Sequence, residues 1–281
     1  MKIGGLFEDS WCRRLVNRII SEVLGLLPKS IPSVKRIKVT EVVIGLGYTG
    51  VMLTTGHVGL CYTFRNELPI ECCQIVNKAG TLAGSGAMEL ASLAKSWDVT
   101  ERMVGVATMN ALSQIVFEKK ADSYAVTKAD MIEELEVRKG DTVVMVGLFH
   151  PFVPVLKKKA KKLIILEKNL VKQEGVLPDF AAEEYLPEAD VAIITGSTFA
   201  NGTLDSLLDL AKGAREIAIT GPSVYVIPDP LFKRGVTLIG TYKPTDAKKT
   251  MTLIAEGGGT PQLPAAGKFV VIKPKEKTKK K

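Results

Sequence analysis

Five short apolar runs in the second half of the chain (142–147, 163–166, 191–195, 217–220 and 236–239) constrain its fold most. Each is nearly unbroken rather than alternating, as a strand covered on both faces requires in a parallel sheet. Helical segments at 153–161, 203–212 and 245–256 lie between or after them. Thr203 stands where an N-cap belongs, Asp205 falls in the first turn, and Gly213 follows the last. This alternation predicts a doubly wound, Rossmann-like domain that binds ligands beyond the carboxyl ends of its strands.

The first half has another rhythm. Phe7, Trp11, Leu15, Ile19, Val23 and Leu26 recur every three or four residues, predicting a helix over 7–27 that Pro28 and Pro32 end. Three β-rich runs follow, at 35–44, 48–55 and 58–64, with glycine-containing joints that predict an antiparallel meander. Helices are expected over 86–96 and 100–119. The expected architecture is therefore α/β: a smaller α+β domain over 1–121, a Rossmann-like domain over 122–272, and a basic tail over 273–281.

That tail holds six Lys and one Glu, so most of the formal +8 charge resides there and the rest of the chain is nearly balanced. A solvated tail is expected, and nucleic acid is not an expected partner, because no aromatic RNA-binding motif accompanies the basic run. No apolar stretch approaches the roughly 18 residues of a membrane span, and the opening MKIGGLFEDS is no signal peptide. A cytoplasmic protein is expected. Cys12, Cys61, Cys72 and Cys73 form no C-x-x-C pair, so buried free thiols are the first reading and a soft-metal or redox site the second.

Gly45-Leu-Gly47-Tyr-Thr-Gly50 spells G-x-G-x-x-G. A dinucleotide fingerprint needs a helix after it to hold the pyrophosphate, and Val51-Met-Leu-Thr-Thr is strand-like instead. A hairpin turn is expected, with Tyr48 and Thr49 still able to face a ligand. A better candidate is the loop Gly147-Leu148-Phe149-His150-Pro151 after the first parallel strand. Glu167 lies at the end of the next strand, where an acid can accept hydrogen bonds from ribose hydroxyls. Without further glycines, a methyltransferase-like pocket for a nucleoside such as S-adenosylmethionine fits better than a pyrophosphate site. The alternative for Glu167 is a plain surface acid.

The next strand ends in Thr195-Gly196-Ser197-Thr198, followed by Asn201-Gly202-Thr203, and the fourth in Gly221-Pro222-Ser223. Small-residue loops at one sheet edge predict a cleft. His150 is a candidate base or metal ligand, and His57 sits in a meander turn.

Residues 45–63 (GLGYTGVMLTTGHVGLCYT) resemble the first module of a two-domain prokaryotic family known for a heavy-metal chelation domain. GLFHPFVPVLKKKAKKLIILEKN, LPEADVAIITGSTFANGTLDSLLDLAKGA, GPSVYVIPDPLFKRGV and LIAEGGGT resemble its second module. The resemblance implies an enolase N-terminal-like domain, a Rossmann-like domain and a site in the cleft between them. It also implies a role in metal chelation through a pterin-, flavin- or siderophore-like chelator. The expected function is an enzyme of transfer, condensation or hydrolysis on such a metabolite. Gly147, Phe149 and Glu167 would hold the ring, with Gly196 and Gly221 permitting close approach. Thr195, Asn201, Thr203 and Ser223 would supply hydrogen bonds, and Tyr48, Thr49 and Asn110 would reach in from the first domain. The rival is a non-enzymatic protein binding a heavy-metal ion or metal chelate through His150, His57, Cys61 and acids. The expected partner is a small molecule, with a homodimer also allowed.

Overall fold

The computed structural model describes residues 17–68, 76, 78–120, 123–128, 130–169 and 175–275. Helix α1 (Arg18–Ser30) carries Pro28 inside its last turn, so the helix runs two residues past the stop expected there. Pro28 is exposed and removes one terminal hydrogen bond, which a last turn tolerates. Phe7, Trp11 and Leu15 lie outside the described residues, as do Cys12, Cys72, Cys73 and the end of the basic tail.

Strands β1 (Val39–Ile44), β2 (Tyr48–Leu53) and β3 (Val58–Tyr62) form the expected meander. Its pairs are antiparallel, with Ile44 opposite Thr49 and Tyr48 opposite Tyr62. The G-x-G-x-x-G stretch is the β1–β2 hairpin, as expected, and close packing explains its glycines. A Cβ on Gly45 would stand 2.2 Å from the carbonyl oxygen of Ile254, and one on Gly50 would stand 2.5 Å from the Ile254 side chain.

Two helices follow, α2 (Ala87–Ser92) and α3 (Val99–Lys119). Asp98 caps α3 by accepting from the amides of Thr100 and Glu101. Residues 102–117 of α3 are all buried, so the helix is a central rod rather than an amphipathic surface helix. Gly59 lets β3 lie directly on it, since a Cβ there would meet the Ala107 carbonyl oxygen at 2.0 Å.

The second module contains β4 (Tyr124–Thr127), α4 (Met131–Glu134), β5 (Thr142–Val146), α5 (Val153–Lys159), β6 (Lys162–Glu167), β7 (Val176–Pro178), α6 (Ala182–Tyr185) and β8 (Val191–Thr195). Then come α7 (Thr198–Asn201), α8 (Leu204–Leu210), β9 (Glu216–Thr220), α9 (Asp229–Phe232), β10 (Leu238–Pro244), α10 (Ala247–Ala255) and β11 (Gly267–Pro274). The sheet order is β4-β11-β10-β9-β8-β5-β6-β7. From β10 to β7 every pair is parallel, whereas β11 and β4 add an antiparallel flank.

Two expectations need correction. Strand β11 extends into the stretch read as tail, because Lys273 and Pro274 pair with Ala125 and Tyr124 and Lys273 forms an ion pair with Glu134. Thr203 occupies the N-cap position of α8 without capping it; its hydroxyl donates to Asn201 Oδ1 at 2.7 Å.

The modules interlock. Met251 and Ile254 of α10 pack with Tyr48, Val58 and Leu60 of the meander in one buried cluster. In exchange, Arg18 and Glu22 of α1 form ion pairs with Asp205, Asp209 and Arg234 of the second module.

Candidate functional site

Strand order places the switch point between β5 and β8, where successive connections leave in opposite directions. Gly147 turns the chain there at φ +92°, a region that favours glycine, and a Cβ on it would crowd Thr195 at 3.0 Å. A cavity of about 1200 Å³ opens over the strand ends and is walled by both modules. Tyr48, Gly147, Phe149, His150, Glu167, Thr195, Asn201, Thr203, Gly221 and Ser223 all line it.

Glu167 is tied down more firmly than a surface acid. Its Oε2 accepts from the amide of Leu148 at 2.9 Å and its Oε1 from the amide of Asn169 at 3.0 Å. The carboxylate thus joins the loops after β5 and β6, and the residue lines the cavity. Next to it, Lys168 Nζ reaches Glu67 of the first module at 2.8 Å. Beyond β8, the hydroxyls of Thr195 and Ser197 lie 3.1 Å apart and Thr198 donates to the Thr195 carbonyl.

Three expected residues do not line the cavity. Gly196 donates its amide to the Thr220 carbonyl at 2.6 Å and packs on Val224. Thr49 is wholly buried, its hydroxyl 3.0 Å from that of Thr63. Asn110 is also wholly buried, and its Nδ2 donates to the carbonyls of Leu60 (2.7 Å) and Ser223 (2.9 Å). One helical turn on, Gln114 donates to the Val58 carbonyl, while Ser223 Oγ accepts from the amide of Tyr62 at 2.8 Å. These side chains satisfy the open edge of β3, which has no further strand beside it among the described residues. Ser223 lines the cavity and pins the second module to the first.

Sequence reasoning named Tyr48 and Phe149 but missed their aromatic neighbours Tyr62, Phe64 and Phe152. Tyr62 and Phe64 meet edge to face at 5.2 Å, and Tyr48 meets Tyr62 at 6.4 Å. From the other module, Phe149 stacks on Phe152 at 5.4 Å and 27°. The signal was present as alternate residues at 62 and 64 and as a three-residue spacing at 149 and 152. Either pattern also reads as ordinary core.

The side chains offered for direct metal binding do not converge. His57 lies outside the cavity, bonded to Glu118 at 3.1 Å and Thr55 at 2.9 Å. Cys61 is fully buried, and desolvation pushes its thiol far up, so the thiolate a soft metal needs is disfavoured. Among the described residues no group of three or more His, Cys, Asp or Glu could hold a metal ion. No described helix is long and apolar enough to cross a membrane.

Comparison with known proteins matches two stretches of the chain. Residues 29–113 and residues 130–273 each match a family described as "Putative heavy-metal chelation", DUF4213 and DUF364 respectively. An uncharacterized protein of Methanocaldococcus jannaschii is 34% identical over 166 residues. That match covers 58% of this chain and 62% of the archaeal protein, so it spans less than two thirds of that relative. A DUF364-family protein of unknown function from Pyrococcus horikoshii superposes with a TM-score of 0.77 at 26% identity, covering 92% of this chain and 99% of its own. Another, from Desulfitobacterium hafniense, gives 0.72 at 26% identity, covering 91% and 98%. The second-module match alone takes in half of the chain and the solved folds nearly all of it; the chain belongs to the DUF364 family, described as "Putative heavy-metal chelation".

Proposed function

We propose that this protein binds a small polar heterocyclic or nucleoside-like ligand in the cleft between its modules. The ligand is read as a pterin-, flavin- or siderophore-like chelator, or a nucleoside cofactor used on one. The observation that carries this reading is the pairing of aromatic walls from both modules over glycine-opened strand ends. Tyr62 and Phe64 of the first module and Phe149 and Phe152 of the second all line the cavity, together with Glu167 and His150. Aromatic faces with a few fixed polar groups suit a flat, polar ring. Within this reading heavy metal enters already bound to the organic ligand, since the described residues supply no converging set of metal-binding side chains. Transfer, condensation or hydrolysis on the chelator is the proposed chemistry.

Native mass spectrometry with elemental analysis of the purified protein tests the reading, followed by titration with adenosine, S-adenosylmethionine and pterin. An organic ligand, alone or with metal in proportion to it, supports the proposal. Stoichiometric metal with no organic ligand, and no binding of the three probes, would favour the metal-binding rival.

A further inference from the structure

The cavity is chemically divided along the sheet. At the β6–β7 end its walls are charged: Glu167 and Lys168 close β6, Asp179 and Glu183 follow β7, and Glu67 is held there by Lys168. Across the switch point, the wall built by β9, β10 and β11 carries no charged side chain among the described residues. Thr220, Gly221, Gly240, Thr241, Phe269 and Val271 form it. The nearby acid Asp130 is engaged as the cap of α4, accepting from the amide of Ile132 at 2.7 Å.

Thr220 distinguishes this uncharged end from a mere extension of the void. Its side chain lines the cavity in a residue only 7% exposed, and its hydroxyl has no hydrogen-bond partner among the described residues. That hydroxyl is not sealed in the core but open to the cavity, so it is free to bond a group that enters there. Its neighbours leave it uncovered. Gly221 has φ +129°, and a Cβ on Gly240 would stand 2.5 Å from Met131 Sδ and 3.2 Å from Thr220 Oγ1. The cavity, at about 1200 Å³, also exceeds the roughly 300–1,000 Å³ typical of a single small-molecule pocket. A ligand seated at Glu167 leaves the Thr220 end open.

We infer that the β9–β11 end is a second subsite, which takes a neutral, flat apolar group bearing one hydrogen-bonding function, beside the polar ligand. Met131, Phe269 and Val271 supply the apolar contact and Thr220 the hydrogen bond. The inference rests on the proposed function only for the identity of the first ligand.

Benzamide is the probe for the second subsite and adenosine for the first. The Met131 methyl resonance is followed on titrating each alone and both together. Benzamide is expected to shift Met131 whether or not adenosine is bound, with the adenosine Kd changing less than about twofold. Thr220→Val should weaken benzamide roughly two- to tenfold, the worth of one neutral hydrogen bond. Phe269→Ala, on the exposed wall, should weaken it too and serves if Thr220→Val does not fold. Benzoate should bind at least tenfold more weakly, because no cation among the described residues lines that end. Displacement of benzamide by adenosine, no shift at Met131, or unchanged affinity in the folded variants would overturn the second subsite. Benzamide binding at Met131 with no adenosine binding would support the subsite and count against the proposed nucleoside reading alone.

Discussion

Replacing Glu167 by Gln keeps the shape of the side chain and removes half of what it does. The carboxylate accepts one amide on each oxygen, Leu148 from the loop after β5 and Asn169 from the loop after β6. A glutamine keeps one of those bonds and turns its own NH2 donor towards the other amide. Hydrogen bonds to charged groups contribute about 1.5–3 kcal/mol each. Glu167 is half-buried, so solvent screening reduces the expected loss to about 1–2 kcal/mol. For a chain of this size that is a fall in Tm of roughly 2–8 °C. Hydrogen exchange localises the effect: the amides of 148 and 169 should exchange about tenfold faster for each 1.4 kcal/mol of local stability lost. A variant with unchanged Tm and unchanged exchange at both amides would refute the bridging role. Weaker adenosine binding at unchanged stability would return Glu167 to the solvated, ribose-accepting acid that sequence reasoning expected.

Gly45→Ala should lose about 1–3 kcal/mol in denaturant melts, because its Cβ meets the Ile254 backbone, whereas Gly25→Ala, with open space around it in α1, should gain roughly 0.5–1 kcal/mol. Equal effects at the two sites would show that the hairpin glycines do not serve close packing. Asn110→Ala leaves the Leu60 and Ser223 carbonyls short of a donor and should cost about 1–3 kcal/mol by the same assay, with little change in adenosine affinity once the protein is folded. The Asp141 carboxyl is held below the usual aspartate range by the Arg215 guanidinium, against desolvation, and by the Arg138 amide. Its contribution is present above the unfolded aspartate pKa and lost as pH falls through the lower folded value, so Asp141→Asn should flatten the acid limb of Tm against pH. An acid limb identical to that of the parent protein would contradict this.

Legibility in the sequence followed how much each segment depends on its neighbours. Val191–Thr195 is apolar at nearly every position because it is covered on both faces, so its bounds could be read from the sequence directly. Strand β11 mixes Lys268, Phe269 and Lys273 with buried Val270–Ile272; as part of an antiparallel flank it keeps water on some positions, so it does not read as a strand and its last two residues read as tail. The site was legible where backbone conformation demands glycine, as at Gly147 and Gly221. It was illegible where a polar residue serves a distant backbone. Asn110 has the side chain of a ligand contact, and only the tertiary placement of β3 reveals that its amide closes a sheet edge. The aromatic walls were hidden for the opposite reason: Tyr62 and Phe64 look like core until the second module stands opposite them.

The exchange of α1 and α10 has a consequence for how the chain comes apart. Residues 17–120 in isolation would expose Tyr48, Val58 and Leu60 where Met251, Ile254 and Leu263 now cover them. The division into two matched segments is therefore not a division of cooperativity, and heat or denaturant should melt both halves in one transition. Recombining one half with a relative's other half would have to carry α10 along with the meander beneath it, so inheritance by halves is constrained by a nine-residue helix.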